Sequence, residues 1–398
     1  MVNDNDTIRK LYLLPDPPAP PRSFQNAFKS IRTDLVGSRV PWQFALPYKA
    51  YRSFCEEQEK YQTNFLSKLD LSYYQNVYLP TEELFSFLRP ARITSDMGLF
   101  ERLAEEDTAG HVLTFRPGPD GFTRHVPDYS RIKSVTGRLT TSSTGPRILN
   151  LQKDHRKILV SRFHQDTGLV VALDFKSLEP KVLLHATDQL VEHNQEERGE
   201  GEENIDIYQS LLDRVLENRP DLQTLLGRDN MKQLVVSELY GAGLARLQAM
   251  LPKSLPPRDV GWLAALVKEY FRSDLLLERL TKEWVNNDCK YILNGYGRPV
   301  ATVSNNLLIN HYVQSTAVDI AMIGFLSMVK YLEAIDALDR VVPIYLVHDA
   351  IVFDVRADSL PLVYSLAKIG VSDIPSFAGS SKPITSLALK VDRLFAGP

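Results

Sequence analysis

The residues best placed to do chemistry in this chain are two aspartates and a cationic stretch between them. Residues 346–355 (L-V-H-D-A-I-V-F-D-V) set His348 and Asp349 between two apolar β-forming runs. That pattern predicts a buried hairpin presenting one carboxylate at its turn. A second carboxylate, Asp174, follows the apolar run 168–173. Between the two, Arg228, Lys232, Val236 and Tyr240 recur every four residues, which aligns them along one slowly drifting helix face. Two hard carboxylates close together can hold two Mg²⁺ ions, with water and phosphate oxygens completing the octahedra. Arg and Lys on one face can bind a triphosphate, and Tyr240 can stack on a base. Gly241 and Gly243 then stop the helix or let it bend. Taken singly, these are strand-end acids and an amphipathic helix with solvated cations. In combination they suit metal-assisted phosphoryl transfer, in which one ion activates a hydroxyl and both stabilise an in-line transition state.

The elements that must position these groups are legible at coarse grain. Residues 168–175 form a buried strand, and 342–348 pair with 351–355. Helical segments extend from about 205 to 290, with Leu211, Leu212, Val215 and Leu216 at helical spacing. A further helix is predicted at about 310–335. Residues 25–105 look mainly helical, and 113–126 predict a β-hairpin around the loop at 117–121. Residues 136–152 are polar and turn-rich. The first 25 residues, with the Pro-rich run at 15–21, form a flexible, polyproline-like arm.

The length of 398 residues allows two or three domains. Hydrophobic content of 44% and charged content of 24% are ordinary for a globular protein. No apolar run reaches the ~18 residues of a membrane span, and the acidic N-terminus lacks the features of a secretory signal. Only Cys55 and Cys289 are present, so a reducing, cytoplasmic setting is expected and no zinc spacing arises. The net charge of −3 hides segregation. Residues 131–163 carry eight Lys or Arg against Asp154 alone, a plausible phosphate-tracking surface, whereas 192–206 form an acidic, solvated loop.

These residues carry a family resemblance. The segment D-F-K-S-L-E-P-K at 174–181 resembles motif A of the family A DNA polymerases, the bacterial DNA polymerase I type (D-Y-S-Q-I-E-L-R). Residues 228–241 resemble motif B (R-x3-K-x3-F-x3-Y-G), and V-H-D-A at 347–350 resembles motif C (V-H-D-E). T-G-R-L-T-T at 136–141, N-L-Q at 150–152, D-I-Y at 206–208, G-R at 297–298 and the N-x3-Q-x-T-A-x-D pattern at 310–319 are similar to further family motifs, in the family's order. The resemblance covers roughly 110–360. It departs from the pattern at Val236, Ala350, Asn306, Pro180 and Lys181, so the chain resembles a divergent member.

The resemblance implies an α+β right-hand polymerase with an antiparallel-sheet palm, helical fingers and a short thumb-like N-terminal region. After the arm at 1–25, the thumb-like region with its hairpin would span 26–135. The first part of the palm would take 136–190, the fingers 191–300 and the second part of the palm 301–398. It implies that Asp174 and Asp349 bind two Mg²⁺ ions, which Mn²⁺ can replace. Arg228 and Lys232 would hold the incoming triphosphate, with Lys232 also able to protonate departing pyrophosphate. Tyr240 would pack beside the templating pair, and Glu179 would exclude a ribonucleotide at C2′. Arg138, Asn150, Gln152, Asn310 and Gln314 would contact the minor groove, where acceptors occur on every base pair, and His348 would sit at the primer terminus. The implied partners are primer-template DNA and dNTPs, with a processivity factor or replisome protein docking through the N-terminal region and no membrane. With only 135 residues before Thr136 and no acidic exonuclease motif there, proofreading is not expected. The implied activity is template-directed DNA synthesis in phage or mobile-element replication or in repair. Two rivals stand beside it: a single-subunit RNA polymerase or primase-like enzyme on the same palm, and an inactive DNA-binding replisome subunit.

Overall fold

In the computed structural model the described residues are 4–16, 47–61, 63–64, 69–142, 145–163, 167–188, 206–380, 382, 384 and 387–395. The acidic run at 192–205 and most of the proline-rich segment lie outside them. The chain divides into two compact units, Met1–Tyr73 and Tyr74–Pro398. In the first unit are α1 (Asp4–Leu11) and α2 (Tyr48–Tyr61). The flexible arm expected at 1–25 is therefore corrected over its first residues. Asp6 pairs with Arg9 and Lys10 at helical spacing, and such pairs support even a short helix.

The second unit runs α3 (Leu79–Leu88), β1 (Thr94–Ser95), α4 (Met97–Glu106), β2 (Tyr129–Ser130), β3 (Thr140–Thr141), β4 (Leu159–Val160), β5 (Gly168–Phe175) and α5 (Leu178–Asp188). Five helices follow: α6 (Ile207–Asn218), α7 (Arg228–Leu239), α8 (Leu244–Met250), α9 (Pro257–Phe271) and α10 (Ser273–Asn286). The chain then forms the hairpin β6 (Tyr291–Leu293) and β7 (Pro299–Ala301), the long α11 (Leu308–Ala334), β8 (Val341–Val347), β9 (Ala350–Arg356), α12 (Leu360–Ser372) and β10 (Leu389–Phe395).

The largest sheet is antiparallel, in the order β10-β5-β9-β8. Alternation along its strands sorts its side chains onto two faces. Val170, Ala172, Val342, Val347 and Val352 pack into a cluster with Ile93, Phe100, Phe115, Ile148 and Ile158. From the other face the Phe175 ring meets Phe325 of α11 at 5.8 Å. The outer backbone of edge strand β8, which has no strand partner, is met by a side chain. Tyr129 Oη accepts from Leu346 N at 2.8 Å and donates to Leu346 O at 2.9 Å, an answer to the unpaired-edge problem.

With its adjoining turn, α11 is long and apolar enough to cross a membrane, with a mean hydropathy of 1.4, but 83% of that window is buried inside the protein. It is a core helix, polar enough to carry Asp319. That carboxylate is buried and paired with Arg131, while Asn294 Nδ2 donates to it at 2.7 Å. Arg131 therefore leaves the phosphate-tracking surface expected over 131–163. The hairpin expected at 113–126 is also corrected. Val112–Phe115 is a 3₁₀ turn whose Val112 and Phe115 are buried. The turn at 118–121 survives, closed by Gly121 N donating to Gly118 O, but it joins isolated bridges rather than strands. The apolar residues there bury at a spacing of three, which a strand does not provide.

Candidate active site at the end of the sheet

Asp174 is the penultimate residue of β5. Register places it opposite Ala350 of β9 on one side and Lys390 of β10 on the other. Asp349 immediately precedes Ala350, and its carbonyl accepts from Phe175 N at 3.2 Å. The ladder therefore brings the two aspartates to one end of the sheet. His348, beside them, takes a left-handed φ of +56° in the two-residue turn between β8 and β9. Such tight hairpins demand a positive φ, and His tolerates it better than most side chains.

Both carboxyl groups resist ionisation. Burial raises Asp174 most, repulsion from Asp349 and Asp392 adds to it, and Lys390 and Lys232 oppose it, leaving the group at about 7. Burial likewise raises Asp349, against the pull of His348, Arg138 and Lys232. A partly buried acid pair of this kind favours a divalent cation, which relieves both the desolvation and the repulsion. Among the described residues no group of three or more His, Cys, Asp or Glu forms a ready metal cage. Two carboxylates alone suit Mg²⁺, which keeps several waters and takes phosphate oxygens rather than a closed protein shell.

Lys232 lies on the wet face of α7. Met231, Leu234, Val235 and Leu239 are buried on the opposite side, whereas Arg228 and Lys232 are exposed. Arg228 donates to Asp206 at 2.5 Å through Nε and stacks over Tyr208 at 5.3 Å. Asp206 caps α6 through the Tyr208 and Gln209 amides, so one carboxylate fixes the entry to α6 and the cation on α7. The last turn of α7 ends at Tyr240. Gly241 follows with φ +67°, and a Cβ there would lie 2.7 Å from Asn306 O. Both the conformation and the close approach require glycine.

Glu179, in the first turn of α5, joins Tyr240 through one guanidinium. Arg138 Nη2 donates to Glu179 Oε1 at 2.5 Å and to Tyr240 Oη at 2.8 Å. Burial raises Glu179, Arg138 pulls it down, and Asp349 pushes it up again, which makes this network electrostatically continuous with the aspartates. Arg138 follows Gly137, whose φ is +75° and whose missing Cβ would sit 3.0 Å from the Arg298 guanidinium. Arg298 is buried and reaches Val135 O. The 135–138 loop is thus seated on Arg298.

The fold therefore unites Asp174, Asp349, Lys232, Glu179, Arg138, Tyr240 and His348. Arg228 stands one helical turn from Lys232, roughly 6 Å along the axis. Asn310 and Gln314 are buried in the first turns of α11, while Asn150 and Gln152 are exposed on the loop before β4. No hydrogen bond or ion pair among the described residues joins these four to the carboxylates. Sequence reasoning missed Lys390 and Asp392, which form an ion pair at 2.7 Å on β10. The alternation L-K-V-D over 389–392 was the signal for that strand. It also assigned no role to Tyr208, the platform beneath Arg228.

No family model matches the chain, and no curated protein matches it. A solved structure does: the POL domain of Pol1 from M. smegmatis, in complex with DNA primer-template and dNTP. The match has a TM-score of 0.63 at 13% sequence identity and covers 93% of this chain and 79% of that one. The mixed helix and antiparallel sheet of this chain, with the two aspartates at one end of the sheet, thus resembles the fold of a DNA polymerase domain.

Proposed function

We propose that this chain is a template-directed DNA polymerase of the family A type, extending a primer 3′-hydroxyl with dNTPs. The observation that carries the reading is the register of β5 against β9, which sets Asp174 beside Asp349 with Lys232 in electrostatic reach of both. The likeness to a polymerase domain solved with primer-template and dNTP supports it. In this reading the four-stranded sheet is the palm, α6–α10 are the fingers, and the thumb-like role falls to 26–135.

Asp174 and Asp349 would hold two Mg²⁺ ions, which when bound would activate the primer hydroxyl and offset charge developing on the phosphate. The protein's own groups do the rest. Lys232 and Arg228 lie along the wet face of α7 and neutralise the triphosphate; Arg228 exchanges Asp206 for phosphate, one anion for another. Glu179, held by Arg138, is a rigid wall against a 2′-hydroxyl. Tyr240, held by the same guanidinium, offers its ring to the nascent pair. Asn310 and Gln314 on α11, with Asn150 and Gln152 on their loop, supply amides for the minor groove, and His348 stands at the primer terminus. Primer extension on a defined template, with each dNTP and each NTP, tests the proposal. Mg²⁺-dependent incorporation of the complementary dNTP is expected. Preference for NTPs would favour the RNA polymerase reading, and no incorporation the scaffold reading.

A further inference from the structure

Four arginines from distant parts of the sequence fall into one cross-strand row, away from the aspartates. Thr94 pairs with Val160 and bridges Phe122, and Pro117 bridges Thr123, all antiparallel. These pairings bring the segments carrying Arg92, Arg162 and Arg124 side by side, and Arg92 and Arg124 line one depression. The third brings Arg116, one residue before Pro117, near Arg124, one residue after Thr123. The backbone agrees: Thr123 N donates to Ile93 O at 2.8 Å, and Arg162 Nη2 donates to Arg92 O at 2.8 Å. Burial agrees as well. Ile93, Thr123 and Leu159 are fully buried on the inner face, and Arg116 and Arg124 are exposed on the outer one.

Like charges directly opposite one another destabilise paired strands, so the fold itself gains nothing from such a row. Two of the four are neutralised, Arg92 by Asp120 and Arg162 by Asp354. Arg116 and Arg124 have no acidic partner among the described residues. Beside the row lies an open depression of about 430 Å³, lined by Arg92, Gly118, Pro119, Asp120, Phe122 and Arg124. The Arg92 and Arg162 guanidinium groups lie 5.0 and 5.5 Å from the Phe122 ring centre. Asp354, which holds Arg162, is about 17 Å along β9 from Asp349, so the row lies beyond the reach of the proposed catalytic groups.

We infer that this row and its depression form a binding site for single-stranded nucleic acid. Segments about 4.8 Å apart make the row roughly 14 Å long, which spans a few phosphates of one strand. The guanidinium planes, proline and ring beside it suit an unstacked base, which a duplex does not offer. The inference does not rest on the polymerase reading, because it requires no chemistry at the aspartates.

The test is the salt dependence of binding of a fluorescent dT12 strand and of a blunt 12-base-pair duplex, without divalent ions. The proteins are the wild type, Arg116→Gln/Arg124→Gln and Arg116→Lys/Arg124→Lys. The glutamine pair should weaken single-strand binding roughly 10-fold at low salt and flatten the log–log salt slope by about 1.4. The lysine pair should restore the slope, and duplex binding should change less than about 2-fold. Unchanged single-strand affinity and slope in a glutamine variant with wild-type circular dichroism and melting would overturn the site. Equal losses on strand and duplex would overturn its assignment to single strands. Arginine-dependent binding by a wild-type protein that extends no primer would sink the polymerase reading and leave this one standing.

Discussion

Asp349 immediately precedes β9 and Asp354 lies within it, and their surroundings could hardly differ more. Asp354 is buried and saturated: Ser161 Oγ donates to it at 2.5 Å, Arg162 N at 2.9 Å and Arg162 Nε at 3.0 Å. Asp319 on α11 is treated alike by Arg131 and Asn294. Asp349 and Asp174 are partly buried, yet no ion pair is made to either among the described residues; they repel one another, with Lys232, Lys390 and Arg138 acting only from a distance. A fold that needs a buried carboxylate for architecture supplies a guanidinium in contact with it. Carboxylates left to repel one another at a solvent-facing sheet end mark a place where something else is to bind.

The comparison breaks if the two kinds of acid respond alike to mutation. The largest effect is expected at the open pair. Asp174→Ala or Asp349→Ala should lower Mg²⁺-dependent primer extension by at least about 1000-fold, some 4 kcal/mol of transition-state stabilisation, while DNA binding and melting temperature stay near wild type. Near-normal extension by either variant would remove the two-metal assignment. At the closed pair the loss should be in stability instead. Arg131→Met leaves Asp319 buried without its cation, a cost of about 3–5 kcal/mol. At roughly 2–4 °C per kcal/mol for a unit of this size, melting should drop by about 6–20 °C, and a drop under about 2 °C would contradict the structural role.

Glu179 lies between the two extremes, half-buried and paired with Arg138 but electrostatically linked to Asp349. Glu179→Ala should reduce the ratio of kcat/KM for dCTP over CTP by roughly 10–100-fold, because a steric wall that also strips water from a hydroxyl is lost. An unchanged ratio would take Glu179 out of sugar discrimination.

The smallest effect sharpens the comparison through pH. The Asp174 carboxyl is raised from 3.8 to about 7 in the fold, so the native state favours its protonated form. Its contribution to stability is full below about pH 4 and is lost as pH rises through 7. Asp174→Asn should therefore raise the melting temperature at pH 8, in the absence of divalent ions, by about 2–4 °C per kcal/mol of relieved repulsion. The gain should vanish toward pH 4, and a stabilisation independent of pH would show that repulsion is not its source.

Local pattern alone determined much of this protein. Apolar runs located β5 and the β8–β9 hairpin, with the turn one residue earlier than expected, at 348–349, and i, i+4 spacing located the wet face of α7. Side-chain period and turn chemistry act over a few residues and need no partner. Motif resemblance then named the site residues, of which seven converge. Tertiary structure decided which charges do what. Arg131 and Arg162 read as surface cations in sequence but are held by Asp319 and Asp354, 188 and 192 positions away. Lys390 joined the site only because β10 pairs with β5, and the arginine row exists only because segments near 92, 116, 124 and 162 align in register. A charge's role is set by its partner and its dielectric surroundings, and both are delivered by chain closure over distances that no local pattern encodes.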